Sequence, residues 1–243
     1  MMQLYIDQGN TALKWQLVDQ GVLLNRGRVE NTLDLNDALS EVSACRLGDI
    51  FVASVVAPAF SEELKAWAKQ HKKPAPTFFI SSRSACGVTN AYEDAAQLGV
   101  DRWLALIAAH HKYAGLLCVV DSGTALTMDF LMPDGRHLGG FIVPGAALMQ
   151  NSLLKNTRQI KVKEITLSTQ LGRDTNEAVS FGIQQMMQLF IKGKVAAVAS
   201  EQQQKVSLIL AGGHAKVLSE GLLMPVNLEE DLVLQGLQLL AKE

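Results

Sequence analysis

Leu4-Tyr5-Ile6-Asp7-Gln8-Gly9-Asn10-Thr11-Ala12-Leu13-Lys14-Trp15 and Val119-Val120-Asp121-Ser122-Gly123-Thr124-Ala125-Leu126-Thr127-Met128-Asp129 are two copies of one pattern, with Asp7 and Asp121 standing 114 residues apart. Each copy has an apolar run, then Asp-x-Gly with a Thr close behind, then a second run. Each then reaches a turn, at Asp19-Gln20-Gly21 and at Asp134-Gly135. Self-similarity at a fixed offset is weighed before local motifs, because a repeated supersecondary unit decides the fold. Gly9 and Gly123 permit a tight turn. The Tyr, Ile, Val, Trp and Phe residues flanking them suit strands. Gly21 and Gly135 close the next hairpin.

Working outward, the chain alternates strands and helices. Residues 50–56 read as a buried strand, Pro58 opens a helix to about Gln70, and 78–80 are a short strand. Val100, Trp103, Leu104, Ile107, Ala108 and His111 follow the i, i+3, i+4, i+7 spacing of a helix over 100–112. Residues 175–191 predict a long helix, 206–210 a strand running into Gly212-Gly213, and 229–241 a last helix. Hairpins followed by helices, twice over, argue an α/β fold of two duplicated halves. The expected division is 1–114 and 115–243, with the 100–112 helix linking the halves.

Composition excludes several classes. The net charge is −2 and no basic stripe is visible, which argues against nucleic acid as a partner. The three cysteines, Cys45, Cys86 and Cys118, are widely spaced without CxxC, which argues against a disulfide framework or a zinc site and fits a cytoplasmic setting. The start of the chain lacks the basic residues and long apolar core of a signal peptide. The most apolar stretch, 103–120, is interrupted by His110-His111-Lys112, so no membrane helix is expected.

Neither a Walker A motif nor GxGxxG occurs, so phosphate contacts need another source of donors. The two glycine turns are the candidates. A glycine turn lets backbone N–H groups approach phosphate oxygens. Asn10 and Thr11 add side-chain donors, Lys14 adds a cation, and Asp7 offers a carboxylate to Mg²⁺. Asp121-Ser122-Gly123-Thr124 is the counterpart in the second half. Two such turns closing on one cleft suit a polyphosphate, with Gly212-Gly213 at the nucleoside end. Asp121 suits either Mg²⁺ or a monovalent cation on residue chemistry alone.

Six segments resemble the type III pantothenate kinase family, in that family's order. They are Asp7-Gln8-Gly9-Asn10-Thr11-Ala12-Leu13-Lys14, Leu98-Gly99-Val100-Asp101-Arg102, Asp121-Ser122-Gly123-Thr124-Ala125-Leu126-Thr127, Gly139-Gly140-Phe141-Ile142-Val143-Pro144-Gly145, Gly172-Arg173-Asp174-Thr175 and Ala211-Gly212-Gly213. Gln8, Ala95 and Val100 depart from the usual residues without removing a charged site group. The resemblance implies a duplicated RNase H-like, actin-like fold with a cleft between the halves. It implies ATP-dependent phosphorylation of pantothenate in coenzyme A biosynthesis, by a homodimer using Mg-ATP and a monovalent cation, K⁺ or NH₄⁺. Carried over, Asp101 is the catalytic proton acceptor. Tyr92, Gly99, Val100, Asp101, Arg102 and Thr175 contact pantothenate. Asp7, Gln8, Gly9, Asn10, Thr11, Ala12, Leu13, Lys14 and Thr124 contact ATP, and Asp121 binds the monovalent cation.

The chemistry is consistent with those roles. Phosphoryl transfer to an alcohol rests on positioning and charge stabilisation, so an ionised Asp101 aimed at the hydroxyl suffices as proton acceptor. Its place in the first turn of a helix favours a carboxylate. Arg102 lies about 100° further round the helix, so it is placed for a different part of the substrate, and a guanidinium suits a substrate carboxylate through two hydrogen bonds. Adjacent His110 and His111 diverge and do not share a metal. The alternatives are another small-molecule kinase of this fold, since fold does not fix function, or a non-catalytic accessory protein that keeps it.

Overall fold

The computed structural model describes residues 1–31, 34–56, 58–156 and 171–243. They form two compact units, Met1–His111 with Asp231–Glu243, and Lys112–Glu230. In chain order the first holds β1 (Met2–Gln8), β2 (Ala12–Asp19), β3 (Val22–Glu30), the short helices α1 (Leu35–Ala38) and α2 (Ser40–Ser43), β4 (Leu47–Ser54), α3 (Ala59–Gln70) and β5 (Thr77–Phe79). A small hairpin, β6 (Ser84–Ala85) and β7 (Val88–Thr89), leads to α4 (Val100–Lys112), whose end is the crossing into the second unit.

Its sheet runs β3-β2-β1-β4-β5, antiparallel through the two hairpins and parallel from β1 through β4 to β5. The central position of β1 explains its unbroken apolar run: Leu4, Tyr5 and Ile6 are each at most 1% exposed. A strand covered on both faces reads as continuous rather than alternating. On α3, Leu64, Trp67 and Ala68 fall on one face at helical spacing and pack against that sheet.

The second unit repeats the topology with β8 (Leu116–Ser122), β9 (Ala125–Leu131), β10 (His137–Pro144), α5 (Ala146–Asn156), α6 (Thr175–Gln202), β11 (Val206–Ala211), α7 (Ala215–Leu222) and β12 (Val226–Leu228). Its sheet order is β10-β9-β8-β11-β12, with antiparallel hairpins and then parallel strands. The glycine turns occupy equivalent places, β1 to β2 and β8 to β9. Burial drives the Cys118 thiol well above its ordinary range, in keeping with a core residue on β8.

Three outcomes differ from the sequence expectations. Helix α6 continues past Ile191 to Gln202, because Ile191 and Val195 hold the turns around Gly193 in the core and the alanines beyond favour helix. The last helix, α8 (Leu232–Leu240), starts later than 229 and joins the first unit, not the second half to which chain order assigned it. Its Gly236 lies so close to α4 that a Cβ would fall 2.0 Å from the Leu104 carbonyl oxygen. The first crossing lies at His111–Lys112 rather than 114–115.

Candidate functional site

In the first unit, Asp7 and Gln8 end β1, Gly9-Asn10-Thr11 turn, and Ala12, Leu13 and Lys14 begin β2. The Gly9 N–H donates to the Ala12 carbonyl at 3.0 Å, closing the turn. Asn31, absent from the sequence expectations, braces it: its backbone N–H donates to Thr11 O at 3.0 Å, and its side-chain amide to Gly9 O at 2.8 Å. Gln8 is buried and donates to Asn31 Oδ1 at 2.8 Å and to Gly9 O at 3.2 Å. Gln8 therefore builds the turn. Leu13 is 3% exposed within the core, which leaves only its backbone to touch a ligand. Asn10 and Thr11 are exposed. Asp7 is 9% exposed and stands in register with Lys14 across the hairpin.

The start of α4 gathers a second group in the same unit. Asp101 Oδ1 accepts the Arg102 N–H at 2.8 Å, holding the carboxylate against the positive end of its own helix. A Cβ on Gly99 would fall 2.5 Å from that oxygen, so the glycine makes room for the carboxylate. The buried Arg102 donates from Nη1 to Tyr92 Oη at 2.9 Å, with its guanidinium carbon 5.7 Å from that ring's centre. Asn90 fixes the loop by accepting the Tyr92 N–H and donating to the Ser82 and Ala95 carbonyls. Arg83 donates to the Tyr92 carbonyl at 3.0 Å, and Ser81 to Leu98 O at 2.8 Å. Four of the expected pantothenate residues, Tyr92, Gly99, Asp101 and Arg102, thus form one cluster. Val100 belongs to it by backbone only, since its side chain is 7% exposed in the core. The bracing residues Arg83 and Asn90 carry no sequence signal, because a loop polar residue shows its partner only when folded.

In the second unit, Asp121 lies near the end of β8, and Thr124 follows the Gly123 turn. The Ser122 carbonyl accepts the His214 N–H at 3.1 Å. Gly212 has φ +91°, and a Cβ there would fall 2.6 Å from Asp121 Oδ1 and 2.5 Å from Ser122 O. Only glycine brings that turn so near the carboxylate. Thr175 is exposed at the first turn of α6, whose Asp174 accepts the Glu177 N–H at 2.9 Å.

Among the described residues no three His, Cys, Asp or Glu side chains gather as a metal centre. The donor chemistry still fits Mg²⁺, which binds through one or two carboxylates and substrate phosphates rather than a protein cage. Asp7 is the acid beside the first turn.

The sequence profile of the family described as Type III pantothenate kinase matches residues 3–197. The chain is similar to the type III pantothenate kinase of Hahella chejuensis, at 37% identity over 244 residues, covering 99% of this chain and 98% of that one. Among solved structures it is similar to a Baf family protein of Campylobacter jejuni, at 21% identity with TM-score 0.62, over 98% of this chain and 97% of that one. It is also similar to the ADP-bound MreB5 of Spiroplasma citri, at 11% identity with TM-score 0.50, over 99% of this chain and 96% of that one. These structural likenesses bear on the fold, which is the duplicated actin-like one.

Proposed function

The chain belongs to the type III pantothenate kinase family, and on that footing we propose that it transfers the γ-phosphoryl group of ATP to a hydroxyl of pantothenate, in coenzyme A biosynthesis. The observation that carries the reading is the α4 cluster. Asp101 sits at a helix start with a glycine clearing its carboxylate, beside a buried Arg102 joined to Tyr92. Asp101 accepts the hydroxyl proton late in a loose transition state, for which a carboxylate is basic enough. Arg102 and Tyr92 bind and orient pantothenate, the guanidinium suiting its carboxylate, and Gly99, the Val100 backbone and Thr175 complete that contact.

ATP is assigned to the turns. Gly9 to Thr11 and Thr124 offer donors to phosphate oxygens, Lys14 offers a cation, and Asp7 holds the Mg²⁺ that offsets phosphate charge. Gln8, Ala12 and Leu13 serve through their backbone. Asp121 is assigned a monovalent cation, K⁺ or NH₄⁺, an oxygen site beside the Gly212 turn. The place of action is the cytoplasm. Among the described residues no helix is long and apolar enough to cross a membrane.

Homodimerisation is part of the proposal. Its support is the outer face of α6, where Gly182, Met186, Leu189, Gly193 and Ala196 recur at the alternating four- and three-residue spacing of a helix–helix seam. Met186 is 53% and Leu189 64% exposed, and nothing lies within 4 Å of where a Cβ on either glycine would stand. Thr175 continues the same spacing one heptad earlier.

An ADP-release assay tests the reading. Release depends on pantothenate and is faster with potassium than with sodium. Asp101→Asn slows turnover by about 10²–10⁴-fold, the range for a positioned acid or base, while ATP binding persists. Turnover on a sugar with none on pantothenate would overturn the substrate, and full activity of the variant would remove Asp101 from the chemistry.

A further inference from the structure

We propose that Arg28 is a second cationic contact for the ATP phosphates, working beside Lys14; the proposal rests on reading the 8–12 turn as part of the nucleotide site. The strand registers carry it. Asp7 stands opposite Lys14 across β1 and β2, and Lys14 stands opposite Arg28 across β2 and β3. Residues directly opposite in an antiparallel ladder share a face, with Cβ atoms about 4.5–5.5 Å apart. One anion and two cations therefore form a row across the sheet, near the end that bears the glycine turn.

Two like charges directly opposite each other destabilise a sheet unless something anionic lies against them. Among the described residues neither the Lys14 nor the Arg28 side chain makes a hydrogen bond or an ion pair. Arg26 shows the contrast. It lies two residues earlier on the same face and is engaged by Asp231 at 3.2 Å. Glu30, two residues later on β3 and opposite Ala12, is not paired with Arg28, and Asp49, on the same face of β4, accepts from Gln3 at the other end of the sheet. With Asp7 assigned to Mg²⁺, the two unpaired cations are left to face phosphate oxygens. Arg28 is exposed on the edge strand, so its long side chain has room to reach a bound anion. A guanidinium there gives two parallel hydrogen bonds to one phosphate.

The test compares Arg28→Gln, Arg28→Lys and Lys14→Met in steady-state kinetics, with tripolyphosphate as a competing ligand that carries the phosphates without the nucleoside. Loss of a charge-assisted hydrogen bond predicts a rise of about 10- to 100-fold in KM for ATP in Arg28→Gln. Tripolyphosphate inhibition weakens by a similar factor, KM for pantothenate is unchanged, and the melting temperature holds. Arg28→Lys restores part of the affinity, because it keeps the charge and loses the fork. If KM for ATP is unchanged in Arg28→Gln but raised in Lys14→Met, Arg28 has no such role and the nucleotide site stands. If both variants leave it unchanged, the turn is not the nucleotide site and the Arg28 role falls with it. Equal losses towards both substrates with a lowered melting temperature would show a structural residue and overturn the proposal.

Discussion

Gly99 does its work by having no side chain. A methyl group there would meet the carboxylate oxygen of Asp101 at 2.5 Å, and that oxygen is the far end of a side chain able to swing aside by giving up its bond from the Arg102 N–H. Gly99→Ala therefore costs little stability but displaces the carboxylate proposed as the proton acceptor, and turnover is expected to fall on the order of 10²-fold, as for a misplacement of about 1 Å. Steady-state kinetics beside a thermal melt separates the two effects. At this scale residue types named the charged groups, Asp7, Lys14, Asp101 and Arg102. They did not reveal that Gln8 is spent on Asn31 and Gly9, or that Leu13 and Val100 turn into the core. Each of those depends on which face of a strand or helix a side chain occupies, and that is fixed by what packs against it.

Helix α6 begins where Asp174 accepts the Glu177 N–H at 2.9 Å, while Glu177 Oε2 reaches one residue past this N-cap to accept the Arg173 N–H at 2.8 Å. Removing the cap oxygen in Asp174→Ala costs about 1 kcal/mol. The loss is expected first as faster amide exchange at residues 175–178, beside Thr175, with the later turns unchanged. The hairpins were the most legible elements, because a glycine between two runs of β-formers permits few alternatives. The end of α6 was the least legible. A glycine inside a helix reads locally as a weak point, whereas the turns on either side of Gly193 are held by Ile191 and Val195 in the core.

For the whole molecule, the exposed seam of α6 predicts the state of assembly. A carboxylate at its centre would have to be desolvated between two helices. Leu189→Glu is therefore expected to shift the solution mass from twice 26.4 kDa to 26.4 kDa by sedimentation. The fold of each unit should persist, since Leu189 is 64% exposed and outside the core. A species that stays at one chain in the unmodified protein would end the dimer proposal.

The amino-acid sequence alone determined the duplication, the strand–turn–strand units that bear the acids, and the family, because these are local patterns of polarity and backbone freedom repeated at a fixed offset. Only the tertiary structure decided that α8 returns to the first unit, that Asn31, Arg83 and Asn90 brace the loops of the candidate site, and that Arg28 stands in one row with Asp7 and Lys14. The reason is physical: strand register and helix docking are set by burial between residues far apart in the chain, and no local pattern encodes which distant partner wins.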